Sequence, residues 1–396
     1  MGKKYSIMVV DHDSENLDKF RTFLVGKGHL SNFCTSMSEA KSLMIGVYPD
    51  VFISRLDVED DDGDILPYVS KNFPNAIRIA YDDKEKESDL MRQVASGNAH
   101  RYLCLPWDAT RIKNALSKDI YTRSRISLHR CWKFIVKNKI KPALPEIVKD
   151  IEVLIRDEEF SFDKLVRLIE KDPVITANIL KVVNSAAFAK NGTIGDLYHA
   201  VTYLGVSRVR ELVLFICAKE AVTLHRKFSE HAREVADHCY KCSRLAGLIA
   251  EEILPGREKS TTTAALLHDI GKFLFFTYAE NNPYLQFKEL KSFFDMASSE
   301  YEVEEFGVTH AQLGGALMLW WNLPMTIVET AANHNMPLDK LNGIVRVVAI
   351  ADRCLLEAHP GNTIQTDLNL IADKFPVDNW RKIAQKLHQD GENPFD

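Results

Sequence analysis

Leu266-Leu267-His268-Asp269-Ile270-Gly271-Lys272 sets an adjacent imidazole and carboxylate inside an apolar run. On a helix, neighbouring side chains project roughly 100° apart, yet both can reach one ion lying over the edge between them. A lone His-Asp pair carries little weight. Here His238 stands upstream, and His310, His334 and Asp352 follow, the last inside the apolar run Val347-Val348-Ala349-Ile350-Ala351-Asp352. An acid within so apolar a helix needs a partner, because burying an unpaired charge is costly. Imidazole with carboxylate suits a divalent ion such as Zn²⁺, Mn²⁺, Fe²⁺ or Mg²⁺, which lowers the pKa of a bound water toward neutrality. All six are candidate ligands, although an isolated helical histidine is more often a packing or surface residue. Lys272, close behind the pair, is placed to contact a phosphate.

Beyond Pro142 nearly every segment reads as helix, with breaks at Asp172-Pro173, Asn191-Gly192, Pro255-Gly256 and Leu323-Pro324. The front of the chain differs. Ser6 to Val10, Val51 to Ser54, Ile77 to Tyr81 and Arg101 to Leu105 are short apolar runs between amphipathic stretches, the pattern of a parallel sheet with helices on both faces. From Thr110 the spacing of Ile112, Leu116 and Ile120 turns helical with no Gly or Pro before Pro142, so one long helix is expected to join the halves.

The order His, His-Asp, His, His, Asp resembles HD-superfamily metal phosphohydrolases, in which the first His, the His-Asp pair and the last Asp hold one ion; the resemblance implies His238, His268, Asp269 and Asp352 as the first candidates, with His310 and His334 after them. Leu144-Pro145-Glu146, Glu170-Lys171-Asp172-Pro173, Val183-Asn184-Ser185-Ala186, Ala200-Val201-Thr202-Tyr203-Leu204-Gly205, Thr309-His310-Ala311-Gln312-Leu313-Gly314 and Trp321-Asn322-Leu323-Pro324 narrow this to a resemblance to the HDOD, or HD-related output, domain. The resemblance implies an all-helical output module of bacterial signalling proteins, working through protein contacts and usually without demonstrated catalysis. Its His and Asp residues either hold a metal or persist as remnants bonded to one another. Where cyclic-di-GMP-hydrolysing relatives carry His-His-Glu and a Gly-Tyr-Pro loop, this chain has His334-Asn335-Met336-Pro337, so that activity is not expected.

In a doubly wound sheet, functional groups sit just after the strands. Asp50-Val51-Phe52-Ile53-Ser54-Arg55-Leu56, followed by Gly63, and Arg101-Tyr102-Leu103-Cys104-Leu105-Pro106-Trp107-Asp108 resemble the third and fifth strands of response-regulator receiver domains. The resemblance implies a phosphoacceptor aspartate where Arg55 stands, and a guanidinium cannot be a nucleophile. Leu105 matches the expected lysine, Tyr81 or Asp82 the expected hydroxyl residue, and Asp11-His12, with Asp13 one place on, the acidic pair. Arg55 either fills the phosphoryl position and pairs with Asp11 or points to solvent. The six acids between Asp57 and Asp64 fail the calcium-loop spacing and read as a solvated loop.

Fifty basic residues against 55 acidic ones give a formal net charge of −5, so no global field draws nucleic acid or anionic lipid. No apolar run approaches a membrane span, and seven scattered cysteines do not form a secreted disulfide framework; a cytoplasmic protein is expected. Cys239-x-x-Cys242 lacks a second cysteine pair and reads as core packing. The expected fold class is multidomain: a flavodoxin-like α/β receiver fold at 1–122 with a five-stranded parallel sheet, a helical linker at 123–140, an all-α HD-like HDOD domain at 141–345, and helices completing or extending it at 346–396. The expected role is that of a signalling adaptor contacting other signalling proteins, with homodimerisation and a nucleotide ligand as further expectations and a metal-dependent phosphohydrolase as the alternative.

Overall fold

Parallel strands need crossovers long enough to hold a helix, so the front alternation commits the chain to a layered α/β unit. The computed structural model describes residues 4–24, 29–60, 63–106, 109–138, 145–157, 159–184, 194, 196–223, 229–281, 299–359 and 366–389. The chain divides into two units, Met1–Ser124 with Met318–Met325, and Arg125–Leu317 with Thr326–Asp396.

The strands of the first unit are β1 (Ser6–Val10), β2 (Leu30–Cys34), β3 (Val51–Arg55), β4 (Glu59–Asp60), β5 (Gly63–Asp64), β6 (Ile77–Asp83) and β7 (Arg101–Leu105). Five of them form an all-parallel sheet in the order β2-β1-β3-β6-β7. This is a doubly wound order, which gathers the carboxyl ends of β1, β3 and β6 at one edge. The three central strands are buried almost throughout because helices cover both faces of such a sheet. Met8, Phe52, Val69 and Leu90 belong to the core they share with those helices. The acidic run is not a plain loop: β4 and β5 pair antiparallel, and Lys41 Nζ holds Asp60 at 2.8 Å.

The expected single joining helix is two. Ala109–Ile126 ends at Ser127, whose left-handed φ of 52° turns the chain into Leu128–Lys137. No glycine or proline marks that break. The second helix is not a free linker, since Phe134 is buried with its ring edge-on to Phe275 at 5.6 Å and to Phe306 at 6.3 Å. Burial of one such ring stabilises by roughly 1.5–3 kcal/mol.

The second unit is helical throughout the described residues. Side-chain caps start its helices: Ser161 accepts from Lys164 N, Asp172 from Ile175 N and Asp196 from His199 N. Asn184 ties its helix end to Ile194 through hydrogen bonds of 2.7 and 2.8 Å; the neighbouring Ser185 and Ala186 lie outside the described residues. The 25-residue helix Ser229–Ile253 packs against Glu258–Leu267 and Gly343–Ala358. Trp380 on Val377–Gln389 is buried and donates to Glu252 at 2.9 Å, so the C-terminal helices complete the same core. No helix among the described residues is long and apolar enough to cross a membrane.

Candidate metal centre

Five chain segments converge on one buried point. His238 comes from the helix Ser229–Ile253 and Asp352 from Gly343–Ala358, while His310 opens His310–Trp320 and His334 directly follows Met325–Asn333. His268 and Asp269 do not lie within a helix, as the sequence suggested, but at the two-residue junction between Glu258–Leu267 and Ile270–Asn281. The junction lets both side chains face the same point without relying on helical projection.

Asp269 is the hub. Its Oδ2 lies 3.4 Å from His268 Nε2 and 3.8 Å from His238 Nε2, and its Oδ1 lies 3.3 Å from His310 Nε2 and 3.4 Å from His334 Nε2. Asp352 Oδ1 meets His238 Nε2 at 3.0 Å and His268 Nε2 at 3.7 Å. Three donor sets therefore overlap: His238, His268 and Asp269; His268, His334 and Asp352; and Asp269, His310 and His334, each with its ligand atoms within 4.8 Å of one another.

The tautomers follow from what the other ring nitrogens touch. His268 Nδ1 donates to the Ala265 carbonyl at 2.6 Å, so in the neutral ring it is Nε2 that carries the lone pair, directed into the cluster. That Nε2 and Asp269 Oδ1 are both buried with no hydrogen-bond partner among the described residues. Buried polar atoms are rarely left so, and two lone-pair donors aimed at one point fit a divalent cation. With His238, His310, His334 and Asp352, the donor chemistry suits Zn²⁺, Mn²⁺ or Fe²⁺.

Residues 142–337 match the HDOD domain family. This part of the chain is an HDOD domain. A solved HDOD domain protein of unknown function from Geobacter sulfurreducens is 23% identical with a TM-score of 0.47, covering 66% of this chain and 92% of that one. Among curated proteins, an uncharacterised protein of Treponema pallidum is 24% identical over 53% of this chain and 41% of its own length. Ribonuclease Y of Lactobacillus acidophilus is 26% identical over 56% of this chain and 35% of its own. The chain thus spans well under half the length of these curated relatives. Asp352 lies beyond the matched residues of the HDOD domain, on a helix that packs into the same core.

Electrostatics bind the cluster together. Burial is the strongest single influence on His268 and opposes its charged form, but Asp269, Cys242 and Asp352 together outweigh it and hold the imidazole well above its ordinary value. Burial likewise opposes ionisation of Asp269 and Asp352; Lys272 and His268 hold the first far below the usual carboxylate range, and His238 and His268 the second. Burial lowers His334 and keeps it neutral. Lys272 Nζ sits 2.5 Å from Asp269 Oδ2, within the cluster. Cys239 and Cys242 are buried free thiols, both pushed up by burial, as core residues would be.

Three supporting residues escaped the sequence reading. A Cβ on Gly271 would stand 2.0 Å from the His310 carbonyl oxygen, so only glycine lets Ile270–Asn281 and His310–Trp320 approach closely enough to bring His310 against Asp269. Arg353 donates to the carbonyls of His334 at 3.3 Å and Met336 at 2.5 Å, fixing the turn that carries His334. Glu302, 3% exposed, holds His310 from behind.

In the front unit, buried Asp11 accepts from Asn16 Nδ2 at 3.0 Å, from the Asp13 amide at 2.8 Å and from the Tyr81 hydroxyl. Arg55 pairs neither with Asp11 nor with solvent alone. Its guanidinium meets Asp82 and Asp83 at 3.3 Å and Asp57 at 3.4 Å. Tyr81 had already claimed Asp11, and Asp82, fully buried at the end of β6, is the stronger attraction for a cation. Lys86 adds a second contact to Asp82 at 3.2 Å, and His12 Nδ1 lies 3.5 Å from Asp57. Leu105 ends β7 beside the cis Leu105-Pro106 bond.

Proposed function

We propose that the chain is a signal-transduction regulator whose front unit is a receiver-like domain that takes no phosphoryl group and whose HDOD domain holds a divalent ion. The observation that carries the regulator reading is Arg55 at the tip of β3, tied to Asp57, Asp82 and Asp83. A guanidinium there cannot accept phosphate, and its ion pairs hold one arrangement of the surrounding loops. Such a unit presents a fixed surface, so the output depends on contacts with other signalling proteins or a second copy, in the cytoplasm. Treatment with acetyl phosphate followed by intact-mass measurement tests this. The mass stays unchanged on the proposed reading; a stoichiometric phosphoryl adduct on an aspartate overturns it.

A second reading, metal-dependent hydrolysis of a nucleotide or other phosphoester, is favoured by the unpartnered lone pairs of His268 Nε2 and Asp269 Oδ1. His238, His268, Asp269 and Asp352 would hold the ion, with His310 and His334 as further donors. A bound ion supplies Lewis acidity and an activated water. Lys272 then faces the phosphate as the cationic contact, and the buried histidines keep their Nε2 atoms toward the cluster. The name of the relative Ribonuclease Y is of the same kind of chemistry. Cyclic di-GMP is a poor candidate substrate, given His334-Asn335-Met336-Pro337. Turnover of bis(p-nitrophenyl) phosphate by Mn²⁺-loaded protein, lost in His268→Ala with Asp269→Ala, supports hydrolysis; no turnover by a loaded protein leaves a regulator that binds its ion without chemistry.

A further inference from the structure

Glu302 uses both carboxylate oxygens on one residue: Oε1 accepts from His310 Nδ1 at 2.6 Å and Oε2 from the His310 backbone N–H at 2.8 Å. Glu302 and His310 are 3% and 4% exposed, so water does not compete for either bond. With its Nδ1 proton committed to Glu302, His310 turns an Nε2 lone pair toward Asp269 Oδ1 at 3.3 Å and His334 Nε2 at 3.2 Å. His334 is fixed the same way, its Nδ1 donating to the Ala331 carbonyl at 3.1 Å. Two imidazole lone pairs and a carboxylate oxygen then face one another with no proton of their own to share.

We propose that Glu302 is the positioning residue of the Asp269, His310 and His334 donor set: by fixing the His310 tautomer it makes that set a cation site rather than a hydrogen-bonded remnant. This rests on the reading that the HDOD domain holds a divalent ion. Only a carboxylate serves, since both of its oxygens accept. An amide offers one acceptor, and the immobile backbone N–H has the first claim on it. In Glu302→Gln the NH₂ group therefore faces His310 Nδ1 and donates to it, moving the ring proton to Nε2 and blocking the ligand position with an N–H.

The test uses the full chain with ¹⁵N-labelled histidine. In ion-free wild type, long-range ¹H–¹⁵N spectra show His310 protonated at Nδ1; in Glu302→Gln they show it protonated at Nε2. Titration with Mn²⁺ then gives binding to the His310 and His334 set weakened about 10–100-fold, the usual effect of losing a carboxylate partner to a ligand histidine. His334→Ala serves as reference: combined with Glu302→Gln it loses no more affinity than either alone, because both remove one set. An unchanged tautomer in Glu302→Gln, or losses that add in the double variant, overturns the assignment of Glu302 while leaving the ion reading intact. Wild type that takes up neither Mn²⁺ nor Zn²⁺ overturns the ion reading and, with it, the proposed role.

Discussion

His310 Nε2 and His334 Nε2 lie 3.2 Å apart, and each ring has its other nitrogen committed, to Glu302 in one case and to the Ala331 carbonyl in the other. Lone pairs brought this close repel unless a cation or a proton lies with them. An ion held there would relieve this contact directly. Replacing His334 with Phe removes one lone pair from the ion-free protein. Its ion-free stability should fall by about 0.5–1.5 kcal/mol, the worth of the Nδ1 hydrogen bond to the Ala331 carbonyl that Phe cannot make. The extra stability gained on adding Mn²⁺, about 2.7 kcal/mol at a hundredfold excess over Kd for the wild type, should shrink. Paired urea melts with and without Mn²⁺ measure both quantities.

Lys272 and Asp269 form a pair in which the ammonium side chain is 19% exposed and the carboxylate 2%. Breaking such a pair from the cationic side strands a buried charge, at a cost of about 3–5 kcal/mol. Lys272→Met should be destabilised by that order in the ion-free state and should recover part of the loss in Mn²⁺, since a divalent ion on Asp269 replaces the missing charge. A loss that Mn²⁺ leaves untouched would mean that ammonium and ion do not meet the same carboxylate.

Gly271 has no room for a methyl group, with the His310 carbonyl oxygen 2.0 Å and Gly314 N 2.7 Å from where its Cβ would stand. Gly271→Ala must push two helices apart, and overpacking of this kind costs about 1–3 kcal/mol. The variant should unfold at lower denaturant and bind Mn²⁺ more weakly, because the same displacement draws His310 from Asp269. Denaturant midpoints and Mn²⁺ titration check the two effects together.

The pH dependence has a sign that differs between folding and binding. The folded His268 is raised well above its ordinary 6.5, so its contribution to ion-free stability is complete below 6.5 and fades as pH rises through the folded value. Asp269 and Asp352 are lowered well below 3.8, so theirs is present above 3.8 and is lost as pH falls through the folded values. Ion-free protein should therefore lose stability from these groups at both ends of the range. Ion binding requires neutral His268 and should strengthen as pH rises, with proton release. Calorimetric Mn²⁺ titration in buffers of different ionisation enthalpy reads the protons directly.

Much of this was legible in the sequence for physical reasons. Central strands buried on both faces must be largely apolar, and β1, β3 and β6 announce themselves that way. Edge strand β2 does not: Leu30-Ser31-Asn32-Phe33-Cys34 has only its last residue buried and Leu30 is 61% exposed, so no apolar run marks it. The His and Asp identities pointed to the cluster, because few residue types serve as ligands. Glu302 was hidden beside Glu304 and Glu305, a run that reads as a solvated face until the fold turns Glu302 inward. The partner of Arg55 was equally out of reach, since it depends on Tyr81 reaching Asp11 first, a contact between strands far apart in sequence.

The central claim is that the cluster around Asp269 holds a divalent ion. Elemental analysis of the purified full-length chain, before and after incubation with Mn²⁺ or Zn²⁺ and removal of excess, addresses it most directly. Stoichiometric metal in the wild type, lost in His268→Ala with Asp269→Ala, is the predicted result. Wild type free of metal after both incubations, while folded by circular dichroism, would contradict it.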